Sequence, residues 1–164
     1  MKKEFEVTKY LIYSYERQTG NRIQSELKLQ KLMYFSQRES LCLTGHQLFD
    51  EEFEGWIHGP VLPSLRYCLE NSEVFDIKGG FSLTEEEKYV IDNTIAQYAK
   101  YDAWYLRDLS HEEYCWQKSR EGLTDKQQGF NKIKLDDIRV DANKLRPYDS
   151  VFDMYVDEFE DIED

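Results

Sequence analysis

The chain has 164 residues, which suffices for one domain with a hydrophobic core but is short for two. Its formal net charge of −12 disfavours direct binding to nucleic acid or to anionic membranes, because a surface of that sign repels phosphates. No run of about 18 apolar residues occurs, so we expect no membrane-spanning helix. Three cysteines that lie far apart, without a Cys-x-x-Cys pair, favour a reducing cytoplasm, the localisation that we predict.

Two helices are predicted near the start of the chain. The first covers residues 5–19, where apolar positions recur with helical spacing and Gly20 ends the element. The second covers residues 25–43 and contains the apolar segment 29–35, which has too few polar positions for a surface helix. We therefore expect a central helix that is covered by the first helix and ends at Gly45 in the C′ position.

A short strand is predicted over residues 52–58, where the residue types alternate. This alternation places Trp56 and His58 on one strand face, and Gly59 ends the strand. An indole and an imidazole beside such a corner are typical of the rim of a binding groove.

Pro60 suits the first turn of a third helix, which we predict over residues 60–71. Residues 74–77 are expected to form a second strand that pairs with the first. Together these two strands would make a small antiparallel sheet.

Capping boxes of the S/T-x-x-E type predict two further helix starts. Thr84 and Glu87 form one such box, in which the hydroxyl and the carboxylate each accept a bond from a backbone N–H, and a long helix should begin there. Ser110 and Glu113 repeat the pattern and would place His111 at the first helical position. A local hydrogen bond is then the expected role of His111.

Two later segments give weaker signals. Residues 124–127 offer a third, less regular capping box. Residues 133–138 fit a strand or a short helix equally well, and the sequence leaves both open.

The C-terminal segment, residues 148–164, carries most of the negative charge. Residues 149–164 contain eight acids and no Lys or Arg, and subtracting those eight charges leaves −4 for residues 1–148. Apolar residues recur there every three or four positions, at Tyr148, Val151, Phe152, Tyr155, Phe159 and Ile162. We expect an amphipathic helix that docks on a protein partner or on a second copy of the chain.

These elements predict a mainly helical α+β fold, in which a central buried helix is surrounded by helices and a small antiparallel sheet. The predicted organisation is one domain over residues 1–147, followed by the acidic amphipathic segment 148–164.

Metal binding and catalysis are not expected from the sequence. His111 and Cys115 lie four residues apart but offer only two ligands, whereas structural zinc needs four. Nothing near Cys115 in the sequence, apart from a helix N-terminus, would lower the pKa of its thiol. Trp116 is expected in the core rather than at a contact. We predict no catalytic residues, no metal and no cofactor.

Several motifs resemble one known family. They are the segment KLQKLMYF at residues 28–35, the LTG at 43–45, the WIHGPV at 56–61, and LSH at 109–111 with Trp116. They resemble the Panacea domain family, also described as SocA-like antitoxins or phage-associated GepA proteins. The resemblance covers residues 5–122 and departs from the family at His58, where an aromatic residue is more usual.

The resemblance implies an antitoxin of a toxin–antitoxin system that neutralises a cognate protein toxin by direct contact, without catalysis. The residues expected to line or support the binding groove are Trp56, His58, Pro60 and His111. The acidic segment would add three aromatic anchors on a toxin of basic character: Phe152, Tyr155 and Phe159.

A second hypothesis belongs to another class. The chain would be a phage-encoded inhibitor whose carboxylates imitate the phosphates of nucleic acid and block a host defence protein. Toxin neutralisation predicts one specific protein partner, whereas mimicry predicts competition with DNA or RNA for the partner's groove.

Overall fold

The protein folds as a mainly helical α+β domain, seen in a computed structural model that describes residues 1–70 and 80–158. The described residues form six α-helices and two short antiparallel β-hairpins. In chain order the elements are α1 Lys3–Thr19, α2 Glu26–Thr44, β1 Glu54–Trp56, β2 Gly59–Val61, a 3₁₀ turn Pro63–Leu65, α3 Glu85–Tyr98, α4 Ala103–His111, α5 Tyr114–Ser119, α6 Leu135–Ala142, β3 Tyr148–Asp149 and β4 Met154–Tyr155.

Helix α2 is the central helix that the sequence predicts. Every residue from Leu29 to Leu41 is buried, and the helix packs against α3, α4, α6 and β2. Its ends also form as expected, because Ser25 Oγ accepts a bond from the Lys28 N–H and Gly45 takes a left-handed φ of 78°. Helix α1 has α3 as its main neighbour, instead of lying chiefly over α2.

The capping box at the start of α3 is confirmed. The Thr84 N–H donates to Glu87 Oε1 at 2.9 Å, and the Glu87 N–H donates to Thr84 Oγ1 at 3.1 Å. The predicted apolar face of this helix, which includes Val90, Ile91 and Ile95, is buried against α1 and α2.

The predicted corner at Pro60 is instead a β-hairpin. Strands β1 and β2 pair with Gly55 opposite Pro60 and Trp56 opposite Gly59, so Pro60 lies in a strand and begins no helix. The reason is Pro63, because a residue that precedes proline avoids helical dihedrals. Leu62 accordingly has φ −93° and ψ 108°, and only the 3₁₀ turn follows. The strand predicted at residues 74–77 lies outside the described residues.

The second predicted capping box is wrong, because Ser110 and His111 are the last residues of α4. The Ser110 hydroxyl donates backwards to the Arg107 carbonyl at 2.7 Å. The next helix, α5, is capped by a residue distant in sequence: the Asp141 carboxylate accepts bonds from the Tyr114 and Cys115 N–H groups, at 2.9 and 2.8 Å.

The two weaker signals have clear outcomes. At residues 124–127 the Thr124 N–H donates to Gln127 Oε1 at 2.7 Å, but this half of a box closes a turn and begins no helix. The open choice at 133–138 resolves as helix α6, preceded by an extended stretch in which the Ile133 N–H bonds the Phe53 carbonyl at 2.8 Å.

The amphipathic helix expected from residue 148 onward is wrong for the described part of the segment, which forms the β3–β4 hairpin. The hairpin is fixed to α3 by Asn93, which donates to the Tyr148 carbonyl and accepts from the Ser150 N–H, both at 2.8 Å. Asp149 accepts from the Phe152 N–H at 2.9 Å, a local bond that competes with helix formation. Phe159 and Ile162 lie outside the described residues.

Candidate recognition face

The β1–β2 hairpin is held on α2 by two adjacent polar side chains. Lys31 Nζ donates to the Pro60 carbonyl at 2.8 Å. Gln30 binds both backbone groups of Leu62, donating to its carbonyl at 3.1 Å and accepting from its N–H at 2.8 Å. Because Lys31 is fully buried and Gln30 nearly so, these bonds fix the hairpin firmly on the central helix.

Helices α4 and α5 support the other side of the hairpin. Trp116 Nε1 donates to the Trp56 carbonyl at 2.8 Å, and Arg120 Nη1 donates to the Gly55 carbonyl at 3.0 Å. The His111 ring stacks on the Trp116 ring, with centroids 3.9 Å apart. Trp116 is buried, as the sequence predicts, and its indole connects the core with the hairpin.

Around the hairpin lies a set of exposed or half-exposed aromatic and basic side chains, which we call the hairpin face. Arg66 stacks over the Trp56 and Tyr67 rings at 5.2 and 4.9 Å, and Trp56 meets Phe130 edge-on at 5.5 Å. On the other side of the tip, Arg107 lies over the Trp104 ring at 5.4 Å and donates from Nε to His58 Nδ1 at 3.0 Å. The hairpin face consists of Trp56, Ile57, His58, Arg66, Tyr67, Trp104, Arg107 and Phe130.

Three rings of this face are strongly exposed: Tyr67 is 51%, Trp104 58% and Phe130 62% accessible. Exposed aromatics that interleave with arginines are typical of protein-binding surfaces, where Trp, Tyr and Arg dominate the binding energy. The arrangement therefore offers large contact areas on side chains that are already fixed by stacking.

The permanent positive charges of the hairpin face are those of Arg66 and Arg107, although the chain as a whole is acidic. Burial and the nearby Arg107 lower the pKa of Lys31 to about 7. The pKa of His58 is lowered by burial, by Arg107 and by Lys31. The pKa of His111 falls to about 4, chiefly through burial and Arg107. These bases are therefore wholly or partly neutral near pH 7.

A cleft of about 170 Å³ opens beside the hairpin tip. Its walls include the apolar side chains Leu27, Trp56, Ile57 and Val61, and Arg66 and His58 also line it. The one acid among its lining residues is Glu26, whose pKa is raised by burial and whose Oε1 has no hydrogen-bond partner within residues 1–70 and 80–158.

The four groove residues named from the sequence gather at this site but differ in exposure. His58 is exposed and Trp56 half-exposed, whereas Pro60 is buried within strand β2 of the hairpin. His111 is half-buried, and its Nε2 is shielded from solvent without a hydrogen-bond partner, so the local bond expected for its ring is not formed through that atom. Pro60 and His111 thus support the face, while Trp56 and His58 are part of it.

Six members of the face were missed from the sequence: Ile57, Arg66, Tyr67, Trp104, Arg107 and Phe130. A signal existed in α4, because positions 104, 107 and 111 fall on one helical face and carry Trp, Arg and His. Arg66 gave no such signal, since its place beside Trp56 depends on the 3₁₀ turn.

The tail aromatics lie on a different surface. Tyr155 faces Tyr148 across the β3–β4 hairpin, and the Arg146 guanidinium stacks on its ring at 3.8 Å. Phe152 is 66% exposed at the tip of this hairpin. Arg146 also pairs with Asp157 and Glu158, at 2.9 and 3.4 Å. The structure therefore separates Phe152 and Tyr155 from the hairpin face.

The thiols have properties opposite to those of nucleophiles. Burial raises the pKa of Cys42 and of Cys68 to about 11, and it raises the pKa of Cys115 further. Within residues 1–70 and 80–158, no cluster of three or more His, Cys, Asp or Glu side chains is placed to hold a metal ion. In the same residues no helix is both long and apolar enough to cross a membrane.

Comparison with known proteins gives one family. The family model described as "Antitoxin SocA-like, Panacea domain" matches residues 29–117, more than half of the chain. The matched region contains the whole hairpin face except Phe130. No curated protein and no solved structure gives a significant match to the chain.

Proposed function

Because the chain belongs to the SocA-like antitoxin family with the Panacea domain, we propose that it neutralises a cognate protein toxin by direct contact through the hairpin face. Family membership supports the general antitoxin role and a protein partner. The observation that carries the specific proposal is the hairpin face itself, where exposed Trp and Tyr rings surround stacked arginines.

Neutralisation by this route requires binding alone. The chain would cover the working surface of the toxin, with the aromatic side chains as anchors and the rigid hairpin as a preformed scaffold. The role is that of a non-catalytic binding protein. The raised thiol pKa values fit this role, since they argue against a cysteine nucleophile.

The acidic segment would contribute a second, electrostatic contact. Among its described acids, Asp157 and Glu158 lie on the surface beside Arg146, where they can steer a basic region of the toxin toward the complex. The segment and the hairpin face would then act on different parts of the partner.

Co-expression with the product of the adjacent reading frame tests the proposal. We expect that product to arrest growth alone and to be neutralised by the native chain. Trp104→Ala should abolish neutralisation, because the exposed indole is an anchor whose removal leaves the core intact. Val140→Ala, at an exposed apolar residue of α6, is the matched control and should still neutralise.

Full protection by a folded Trp104→Ala chain would show that the hairpin face is not the contact. Failure of the native chain to bind the product would overturn direct neutralisation. Displacement of the bound product by DNA would instead support nucleic acid mimicry.

A further inference from the structure

Arg66 is an exposed arginine that makes no ion pair with the residues that the structure describes, although Glu26 lies near enough for Arg66 to lower its pKa. No carboxylate of residues 1–70 or 80–158 lies within ion-pair distance of its guanidinium, and its side-chain hydrogen bond goes to the Tyr67 hydroxyl at 3.1 Å. The Trp56 and Tyr67 rings hold the guanidinium in place by stacking. One donor, Nη2, is used by the Tyr67 hydroxyl, and the remaining N–H donors of the guanidinium can bind an incoming carboxylate.

Arg107 repeats this arrangement on the other side of the hairpin tip. Its guanidinium lies over the Trp104 ring at 5.4 Å. Among the residues that the structure describes, one carboxylate contacts it, that of the neighbouring Asp108 at 3.0 Å, and the Asp108 side chain is 68% exposed. An ion pair so exposed contributes little free energy and can be replaced by an incoming acid.

The surroundings of the two arginines favour a negative ligand. Lys31 lies buried beneath the hairpin, and both Lys31 and Arg107 disfavour protonation of His58. Since Lys31 and His58 are wholly or partly neutral near pH 7, the permanent positive charges here are those of the two arginines, in a chain of net charge −12. The one acid that lines the adjacent cleft is Glu26, and Arg66 lowers its pKa electrostatically.

The cleft itself selects an apolar group. Its volume of about 170 Å³ and its walls of Leu27, Trp56, Ile57 and Val61 suit a single aliphatic or aromatic side chain. Arg66 stands at this cleft, so an acid beside the inserted side chain would meet the guanidinium.

We propose that the hairpin face binds an acidic protein segment in which an apolar side chain enters the cleft and flanking carboxylates pair with Arg66 and Arg107. This inference rests on the proposed function for the identity of the partner, the toxin, and it adds the chemistry of the contact. The charge that this face requires on the toxin is negative, whereas the acidic C-terminal segment is expected to contact a positively charged region. The toxin would therefore present an acidic segment to the hairpin face and a basic region to the tail.

Short peptides test this chemistry without any toxin. The probes are three blocked pentapeptides of equal length: Glu-Glu-Leu-Glu-Glu, Gln-Gln-Leu-Gln-Gln and Lys-Lys-Leu-Lys-Lys. The readout is the NMR indole N–H signals of Trp56 and Trp104, titrated with each peptide to a few times 1 mM, roughly the affinity scale of one short segment. A short oligothymidylate serves as a fourth probe, because arginines on aromatic rings also occur in single-strand binding sites.

We expect saturable shifts of both indole signals with the acidic peptide and binding at least about tenfold weaker with the amide peptide, since a charge-assisted pair contributes more than a neutral one. Arg66→Glu should abolish the shifts. Arg139→Glu is the matched control, because it makes the same charge change at the far end of α2, where Arg139 bonds the Gly45 carbonyl. That variant should bind as the native chain does.

Four outcomes would overturn the inference. These are no binding of the acidic peptide, equal binding of the amide or lysine peptide, equal loss of binding in both arginine variants, and stronger binding of oligothymidylate. Since no toxin is present, such a failure leaves direct neutralisation standing. Failure of the co-expression experiment with intact peptide binding would leave this recognition chemistry standing without its assigned partner.

Discussion

At Gly59 the backbone has a φ of +103°, and a Cβ added there would lie 2.5 Å from Ser110 Oγ and 2.6 Å from Lys31 Cε. Both features exclude a larger side chain, the first by backbone strain and the second by overlap with the residues that support the hairpin. The conformation of this one glycine therefore sets how closely the hairpin approaches α2 and α4.

Gly59→Val should consequently destabilise the fold by about 2 to 4 kcal/mol, from strain and overpacking together. Trp56→Ala should cost less in stability, because the indole is half-exposed, but it should weaken toxin binding more. Urea unfolding and binding kinetics of both variants test this order. If Trp56→Ala proves the more destabilising of the two, its ring belongs to the core rather than to the binding surface.

His111 shows how stacking changes the role of a residue. The sequence suggests a helix-start hydrogen bond, but the structure places the ring against Trp116 at the end of α4. His111→Ala should therefore lower the free energy of unfolding by about 0.5 to 1.5 kcal/mol through the lost ring contact. No enzymatic activity should be lost in this variant, because His111 is not expected to be catalytic.

The same residue should make stability depend on pH. The pKa of His111 is about 4 in the folded chain and 6.5 for an ordinary histidine. As pH falls from 6.5 towards 4, the unfolded chain takes up a proton that the folded chain excludes, so the free energy of unfolding decreases. His111→Phe should remove this part of the slope, while Arg107, Asp108, Lys31 and His58 remain the same in both proteins.

Chemical unfolding of the two proteins across that pH range measures the difference. If the free energy of unfolding changes with pH in the same way in both proteins, that result would contradict the shielded position of the imidazole.

Local signals predict the long elements of this fold well. The apolar density of α2, its cap at Ser25 and the capping box of α3 are all set by residues within one or two turns of each other. The wrongly predicted elements combine local signals, at Pro63 and Asp149, with distant contacts that the sequence does not reveal. The β1–β2 hairpin needs Lys31 and Gln30, and the C-terminal hairpin needs Asn93.

The residues of the candidate site also divide into those that local sequence signals indicate and those that only the tertiary fold brings there. The predicted strand over residues 52–58 is shorter in the structure, where β1 ends at Trp56 and His58 lies in the turn of the hairpin. The sequence therefore placed both residues near the hairpin tip but was wrong to put them on one strand face. Arg66 and Arg107 could not be placed beside them, since the 3₁₀ turn and α4 reach the hairpin only through the tertiary fold.

Helix α5 offers the clearest test of a distant cap. Its first two N–H groups bind the Asp141 carboxylate from α6, and Asp141 is nearly fully buried. Asp141→Ala should lower the free energy of unfolding by about 1 to 2 kcal/mol, the upper range for a lost N-cap. Asp136→Ala is the matched control, since this acid of the same helix is exposed and should change stability little.

Equal stability of the two variants in urea unfolding would show that α5 does not depend on this cap.

For the whole molecule, the notable property is the separation of charge. The acidic C-terminal segment and the arginine-containing, aromatic hairpin face occur in one chain, and the described part of the segment, residues 148–158, forms a separate hairpin beside Arg146. A partner that engages both must therefore match two signs in a fixed arrangement, which favours specificity over simple electrostatic attraction.

Deletion of residues 149–164 should leave a folded domain of net charge −4 with weaker binding to its toxin. It should also be less stable than the full chain, because Tyr89 and Asn93 lose their bonds to the tail. The loss of binding should have two components, slower association and faster dissociation, which separate variants can measure.

Neutralising Asp157, Glu158, Glu160 and Asp161 should mainly slow association and flatten its salt dependence, since exposed charges act over about 8 Å at physiological ionic strength. Replacing Phe152, Tyr155 and Phe159 by Ala should mainly speed dissociation. Surface-based kinetics against the toxin distinguish the two effects. Unchanged rate constants after deletion would reduce the tail to a charged extension without a binding role.

The positions of the tryptophans have a practical consequence. The chain has three, and all of them belong to the hairpin face or touch it directly: Trp56, Trp104 and Trp116. Indole fluorescence of the unlabelled protein is therefore a local probe of this one surface. Trp104 and Trp56 should respond to an occupant, while the buried Trp116 supplies a constant background, so docking can be followed optically without attaching a dye.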